Sequence, residues 1–424
     1  MIDRKKMPPI VDAVYYQLEL KPYTHHQLAN GVDVYMIDAG AEEVLQIEWL
    51  YKAGNCYENQ NLIAATTNYL LRAGTTTHTA YELDEKIDYV GAYVNRGCYN
   101  EQASITLHCL NKHTDVLLPL IREVLTESVF PLHELLLYQQ NMKQRLSVNL
   151  RKSDYVAGRL IDAYLFGEEH PYGKYSSPSS FDALTRDALL AFYERYYKQG
   201  HFQLFVAGKI PGDIVEKLNR YFGDLPITIP DLPMHPCHPA TQKKFNIQND
   251  PAGVQGAIRL ARPFPDRHHP DFLPALVLNT VFGGFFGSRL MSNIREEKGY
   301  TYGIHSYLLN LQQTSAWMIS TEAGKEVCES TIKEVYAEMN RLCNEPISEE
   351  ELNLVRNYMM GGLLGDLEGP FQLIARWKNL LLNNLPPAHF HRTIDTIRNV
   401  NAQQLQALAQ RYLNPADFYE LVVV

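Results

Sequence analysis

Arg295 and Tyr302 stand seven residues apart in the stretch Val281–Tyr302, VFGGFFGSRLMSNIREEKGYTY. A guanidinium offers a fork of N–H donors and a phenol one O–H donor, so the pair can converge on a single carbonyl oxygen. Local signals define the elements that would carry them. Gly283, Gly284 and Gly287 form a bend that runs into Ser288, a good N-cap. About two helical turns follow, ending at Arg295, and Gly299 is a natural C-terminal stop. Tyr300 and Tyr302 then alternate with Thr301 and Gly303, as on a strand. The competing reading leaves Arg295 in a solvated charge run, Arg295-Glu296-Glu297-Lys298.

The order Phe282-Gly283-Gly284, Ser288-Arg289-Leu290, Arg295-Glu296 and then Gly299 and Tyr302 resembles the second domain of pitrilysin/insulinase-type zinc peptidases, the inverzincins. It is most similar to their short, two-domain branch, which includes the mitochondrial processing peptidase and its bacterial relatives. The resemblance extends over nearly the whole chain, from about residue 20 to residue 424. It implies that Arg295 and Tyr302, with Gly283 and Gly284, hold the backbone of a bound peptide.

The same resemblance implies a zinc helix in the first domain, His-x-x-Glu-His, completed by a Glu from a later helix. Two His at i and i+4 share a helix face, and the Glu between them works as general base on a metal-bound water. The family frame is present: Gly74-Thr75 after a helix, then Glu85 to Asp88, then Gly91-Ala92. Counting back from Gly74 places the motif on Ala65-Thr66-Thr67-Asn68-Tyr69, so Ala65, Asn68 and Tyr69 replace His, Glu and His. The later Glu falls near Gln144 or Arg145, in a helix starting around Leu132 whose acid, Glu134, lies in its first turn. Tyr69 reads as a packing residue. No metal ligand set is expected in this chain, and the resemblance implies that zinc belongs to a partner subunit. His25-His26, His268-His269, His389-Phe390-His391 and His235-Pro236-Cys237-His238 read as solvated or linker residues.

The chain has 424 residues, net charge −9 and a pI near 5.9, which argue against nucleic acid as a partner. Six cysteines without C-x-x-C spacing read as reduced thiols. Met1 to Pro9 lacks the apolar core of a signal peptide, and Pro274 to Phe286 is too short to span a bilayer. The expectation is a cytoplasmic protein with no membrane partner.

Two segments read alike: Leu189 to Val206 and Leu405 to Val423 each give a helix ending in Arg-Tyr, a turn and a strand. Their arginines, Arg195 and Arg411, lie 216 positions apart, and the helix openings at Phe130 and Ile347 lie 217 apart. Constant register indicates a duplicated unit. Strands are expected at Val32 to Ile37 after an Asn30-Gly31 turn, at Val44 to Tyr51, Ala103 to Cys109, Ala257 to Leu260 and Ala316 to Thr321. The fold class is therefore α+β, two similar domains, each a largely antiparallel sheet with helices on one face. The expected boundaries are 1–223, a Pro-rich linker 224–247, and 248–424.

The function expected is that of a non-catalytic subunit in a two-chain zinc peptidase, paired with a homologous zinc-bearing chain and binding peptide through Arg295 and Tyr302. Self-association is possible when the chain is alone. A structural or peptide-binding scaffold, and a self-sufficient peptidase with unfamiliar ligands, are the alternatives.

Overall fold

The computed structural model describes residues 11–424. The reading of Met1 to Pro9 lies outside the described residues. Contacts divide the chain into two compact units.

The N-terminal unit comprises Lys21–Gln242 and Gly369–Asn379. Its strands are β1 (Thr24–Gln27), β2 (Asp33–Asp38), β3 (Val44–Tyr51), β4 (Tyr93–Cys98), β5 (Ala103–Leu110) and β6 (Phe202–Gly208), in the order β1-β2-β6-β3-β5-β4. Every neighbouring pair is antiparallel except β2 with β6. Helices α1 (Ile63–Leu70) and α2 (Ala80–Tyr89) connect β3 to β4, and α3 (Thr114–Glu127) and α4 (Leu132–Asn149) follow β5. Gly31 turns β1 into β2 at φ +82°, a conformation that favours glycine. Thr79 and Glu82 form a reciprocal capping box at the start of α2.

The C-terminal unit comprises Lys243–Glu368 and Leu380–Val424, with the described residues up to Leu20. Its strands are β7 (Lys244–Ile247), β8 (Gln255–Phe264), β9 (Thr301–Asn310), β10 (Ser315–Gly324) and β11 (Tyr419–Val423), ordered β7-β11-β8-β10-β9. Apart from β1, the two orders correspond strand for strand, β2 to β6 matching β7 to β11. The one parallel pair is also shared, β2 with β6 and β7 with β11. Gly91 before β4 and Gly299 before β9 adopt the same left-handed turn, at φ +66° and +67°. The repeat read from the sequence is thus a repeat of topology, and each unit is an α+β layer of mainly antiparallel sheet covered by helices.

Two segments group with the unit distant from them in sequence, each for a visible reason. Glu48 of β3 is buried and needs a counter-charge; Lys378 supplies it at 2.9 and 2.7 Å. Beside it Trp377 Nε1 donates to Lys21 O at 2.7 Å. In the C-terminal unit, Arg398 donates to Val14 O and Tyr16 O at 2.9 and 2.6 Å, and Leu18 joins the buried core. The Pro-rich run 224–239 contains no helix, as its composition dictates, and is docked: His238 N donates to Phe166 O at 3.0 Å.

Candidate substrate-binding site

The glycine bend of the C-terminal unit is built by close packing. The helix Phe272–Asn279 continues into a wide turn, Thr280–Gly284, with hydrogen bonds of the five-back type. Gly283 is buried, and a Cβ there would lie 2.7 Å from Ser306 Cβ and 2.9 Å from Leu290 Cδ1. Ser306 on β9 is fixed in turn by Asn279, which accepts its hydroxyl at 2.7 Å, and by Trp317 Nε1, which donates to it at 2.8 Å. The structure therefore explains Gly283 by helix-to-strand packing; Gly284 is exposed.

Two local expectations need correction. Ser288 is buried with its hydroxyl unpartnered, so it does not cap through its side chain; its carbonyl accepts from Ser292 N at 2.9 Å. The next turn is not a plain α-helix ending at Arg295 but a π-type turn, Met291–Glu297, in which Lys298 N reaches back five residues to Asn293 O at 2.9 Å. The tight return of the chain into Ser288 buries that side chain, and the widened turn carries the helix past Arg295 before Gly299 stops it.

The long polar side chains around this turn meet different fates. Arg289 makes a bidentate pair with Glu351, both bonds 2.8 Å, and that partner raises its pKa above the usual guanidinium value. Asn293 Nδ2 donates to Glu334 and Glu338 at 3.0 and 2.7 Å. Glu297 pairs with Lys298 at 2.8 Å. Arg295 takes part in none of these pairings. Its guanidinium lies over the Phe286 ring, 4.6 Å from the centroid, a contact worth about 0.5–1 kcal/mol at an exposed site. Tyr302 on β9 is 88% exposed. Phe286 is the residue that sequence reasoning overlooked; the signal available was a large aromatic between glycines, and it is 57% exposed.

In the N-terminal unit, α1 carries Ala65, Asn68 and Tyr69, the positions expected for the zinc motif. Ala65 offers no donor. Asn68 is buried and donates to Ser104 O at 3.2 Å and to Tyr197 Oη at 3.1 Å. The Tyr69 ring packs on Tyr138 of α4, 4.8 Å between centroids, with the Arg96 guanidinium 5.1 Å from its own centroid. Arg96 also donates to Tyr69 O. These residues do not fit zinc: one lacks a donor, one is committed to other partners, and a guanidinium lies against the third. Among the described residues no cluster of three or more His, Cys, Asp or Glu is placed to hold a metal ion.

Gln144 and Arg145, placed opposite α1 by counting along the chain, are exposed; the α4 residue that reaches α1 is Tyr138, roughly two turns earlier. Thr66 Oγ1 donates to Tyr138 Oη at 3.4 Å. Of the histidine clusters in the N-terminal unit, His25 pairs with Asp33 at 2.9 Å, and His235 Nε2 lies 2.9 Å from Cys56 O.

A further feature of α1 has no sequence signal. Glu58 accepts the N–H groups of Leu62 and Ala64 at 3.2 and 3.0 Å, holding Leu62 in the left-handed conformation that starts the helix. Burial pushes its carboxyl pKa up to about 7.

The fold is a duplicated α+β layer, with Tyr302 exposed and Arg295 part-buried in one unit and Asn68 and Tyr69 of α1 engaged in packing in the other. Residues 183–359 match the family described as Peptidase M16 inactive domain. An uncharacterized zinc protease of Bacillus subtilis is 23% identical over 404 residues, covering 92% of this chain and 95% of its own length. One from Mycobacterium leprae is 24% identical over 356 residues, covering 82% and 79%. A solved structure from Pseudomonas fluorescens, described as a peptidase M16 inactive domain, has a TM-score of 0.81 at 21% identity, covering 95% of this chain and 98% of its own. A protease from Helicobacter pylori reaches 0.84 at 17% identity, covering 95% and 99%; these two likenesses speak to the fold. Residues 183–359 thus match the M16 inactive domain, and over most of its length the chain is similar to proteins named as zinc proteases. Among the described residues no helix is long and apolar enough to cross a membrane.

Proposed function

We propose that this chain is the non-catalytic, substrate-binding subunit of a two-chain zinc metallopeptidase acting on peptides in the cytoplasm. Its partner is a homologous chain with His-x-x-Glu-His intact, and the metal chemistry is the partner's. The observation that carries this reading is the contrast around one turn: Arg289 and Asn293 are tied to carboxylates, whereas Arg295 rests only on a ring and Tyr302 is solvent-facing. Among the described residues neither side chain has a hydrogen-bond acceptor, so both donors are suited to take an external one. Arg295 and Tyr302 hold the carbonyl of the bound peptide and stabilise the charge that develops on its oxygen.

The test is cleavage of an unstructured peptide by the purified chain, by the homologous zinc-bearing chain, and by their mixture. The expected result is no turnover above background from this chain alone and chelator-sensitive turnover from the mixture, with a complex seen by size-exclusion chromatography. Chelator-sensitive cleavage by the isolated, contaminant-free chain would overturn the proposal.

A further inference from the structure

Histidines and arginines distant in the sequence meet in one hollow of the C-terminal unit. Arg267 and His269 come from the loop before helix Phe272–Asn279, His389 and Arg392 from helix Ala388–Asn399, and Arg411 from helix Ala402–Tyr412. The hollow has a volume of about 790 Å³, within the range of small-molecule sites, and Leu273, Leu385 and Leu408 give it an apolar side.

Its charge is unlike that of the chain as a whole, which carries −9. Three arginines from three segments gather against two acids, Asp271 and Asp395. Asp271 is already engaged, accepting from Arg411 at 2.5 Å and from Tyr412 Oη at 2.7 Å. Arg392 has no ion pair among the described residues and is exposed. The ring of His269 is also oriented. Its Nδ1 accepts the Asp271 N–H at 3.1 Å, so in the neutral ring Nε2 carries the proton and is a donor.

We propose that this hollow is a binding site for a phosphomonoester with a small apolar body. Arg392 takes the phosphate through its guanidinium fork, which matches two phosphate oxygens in a way that an ammonium cannot. His269 adds a donor, and the leucines cover the apolar part. The site is separate from Arg295 and Tyr302, neither of which lines it.

The experiment is a calorimetric titration of the full chain with phenyl phosphate, with benzoate and inorganic phosphate as comparison probes. Saturable one-to-one binding of phenyl phosphate, tighter than either comparison probe, is expected. Arg392→Ala weakens it about tenfold or more, and Arg392→Lys by an intermediate amount. Arg392 is exposed, so both variants should keep the wild-type Tm, checked in parallel. Arg295→Ala leaves phenyl phosphate binding unchanged. Absence of saturable binding, or binding that survives Arg392→Ala undiminished, overturns the proposal, and so does binding lost in Arg295→Ala instead.

Discussion

Arg295 and Glu58 are both at odds with their surroundings, in opposite senses. Arg295 is part-buried yet pairs with no carboxylate among the described residues, although Glu296 and Glu297 follow it in sequence. Glu58 is drawn inward to accept two N–H groups at the start of α1, and burial lifts its pKa to about 7. Because this folded value lies above the unfolded value of about 4.3, the folded chain holds the proton more tightly. The resulting stabilisation is complete below about pH 4.3 and is lost as pH rises through about 7. Glu58→Gln removes the charge and keeps one oxygen acceptor, but loses the second, because the two N–H groups bind different carboxylate oxygens. Its Tm relative to wild type is therefore expected to be higher at pH 8 than at pH 4; parallel pH profiles for the two proteins would contradict the assignment.

The elements show what the sequence discloses and what it withholds. Strand β3 falls on the residues expected, since a strand's alternation depends only on nearby side chains. Gly299 also stops its helix as expected, at φ +67°. The π-type turn at Met291–Glu297 was not legible, because an extra residue per turn is imposed by packing and leaves no periodic mark. Ser288 misled for a similar reason: cap chemistry is local, but burial of the hydroxyl is decided by the fold. Arg295 and Tyr302 were singled out by type and spacing, whereas Phe286 beneath Arg295 and Tyr138 against Tyr69 required three-dimensional placement. Gly283 offers the element-scale test. An added methyl would meet Ser306 on β9, the strand that carries Tyr302. Gly283→Ala is expected to cost about 1–3 kcal/mol in urea unfolding, the usual range for overpacking. A variant as stable as wild type would show that the bend has room that the packing denies.

For the molecule as a whole, duplication gave two units of one topology whose equivalent regions have diverged. The first fills the positions expected for the motif on α1 with packing, and the second presents Tyr302 to solvent while Arg295 stays part-buried. The repeat itself was legible, since helix–turn–strand segments recur at constant spacing. The grouping of Gly369–Asn379 with the N-terminal unit was not, because Glu48 and its partner Lys378 lie 330 residues apart. The central claim is that Arg295 and Tyr302 act on a substrate carbonyl when this chain joins a zinc-bearing homologue. The most direct measurement is steady-state cleavage of an unstructured peptide by assembled pairs carrying wild-type, Arg295→Ala, Arg295→Lys or Tyr302→Phe chains. Removing one such donor typically lowers turnover roughly 10²–10³-fold. The account predicts that loss for Arg295→Ala, a partial rescue by Arg295→Lys, and a similar or smaller loss for Tyr302→Phe, with assembly by size-exclusion chromatography intact throughout. Unchanged turnover in Arg295→Ala and Tyr302→Phe would contradict it and leave the chain a scaffold.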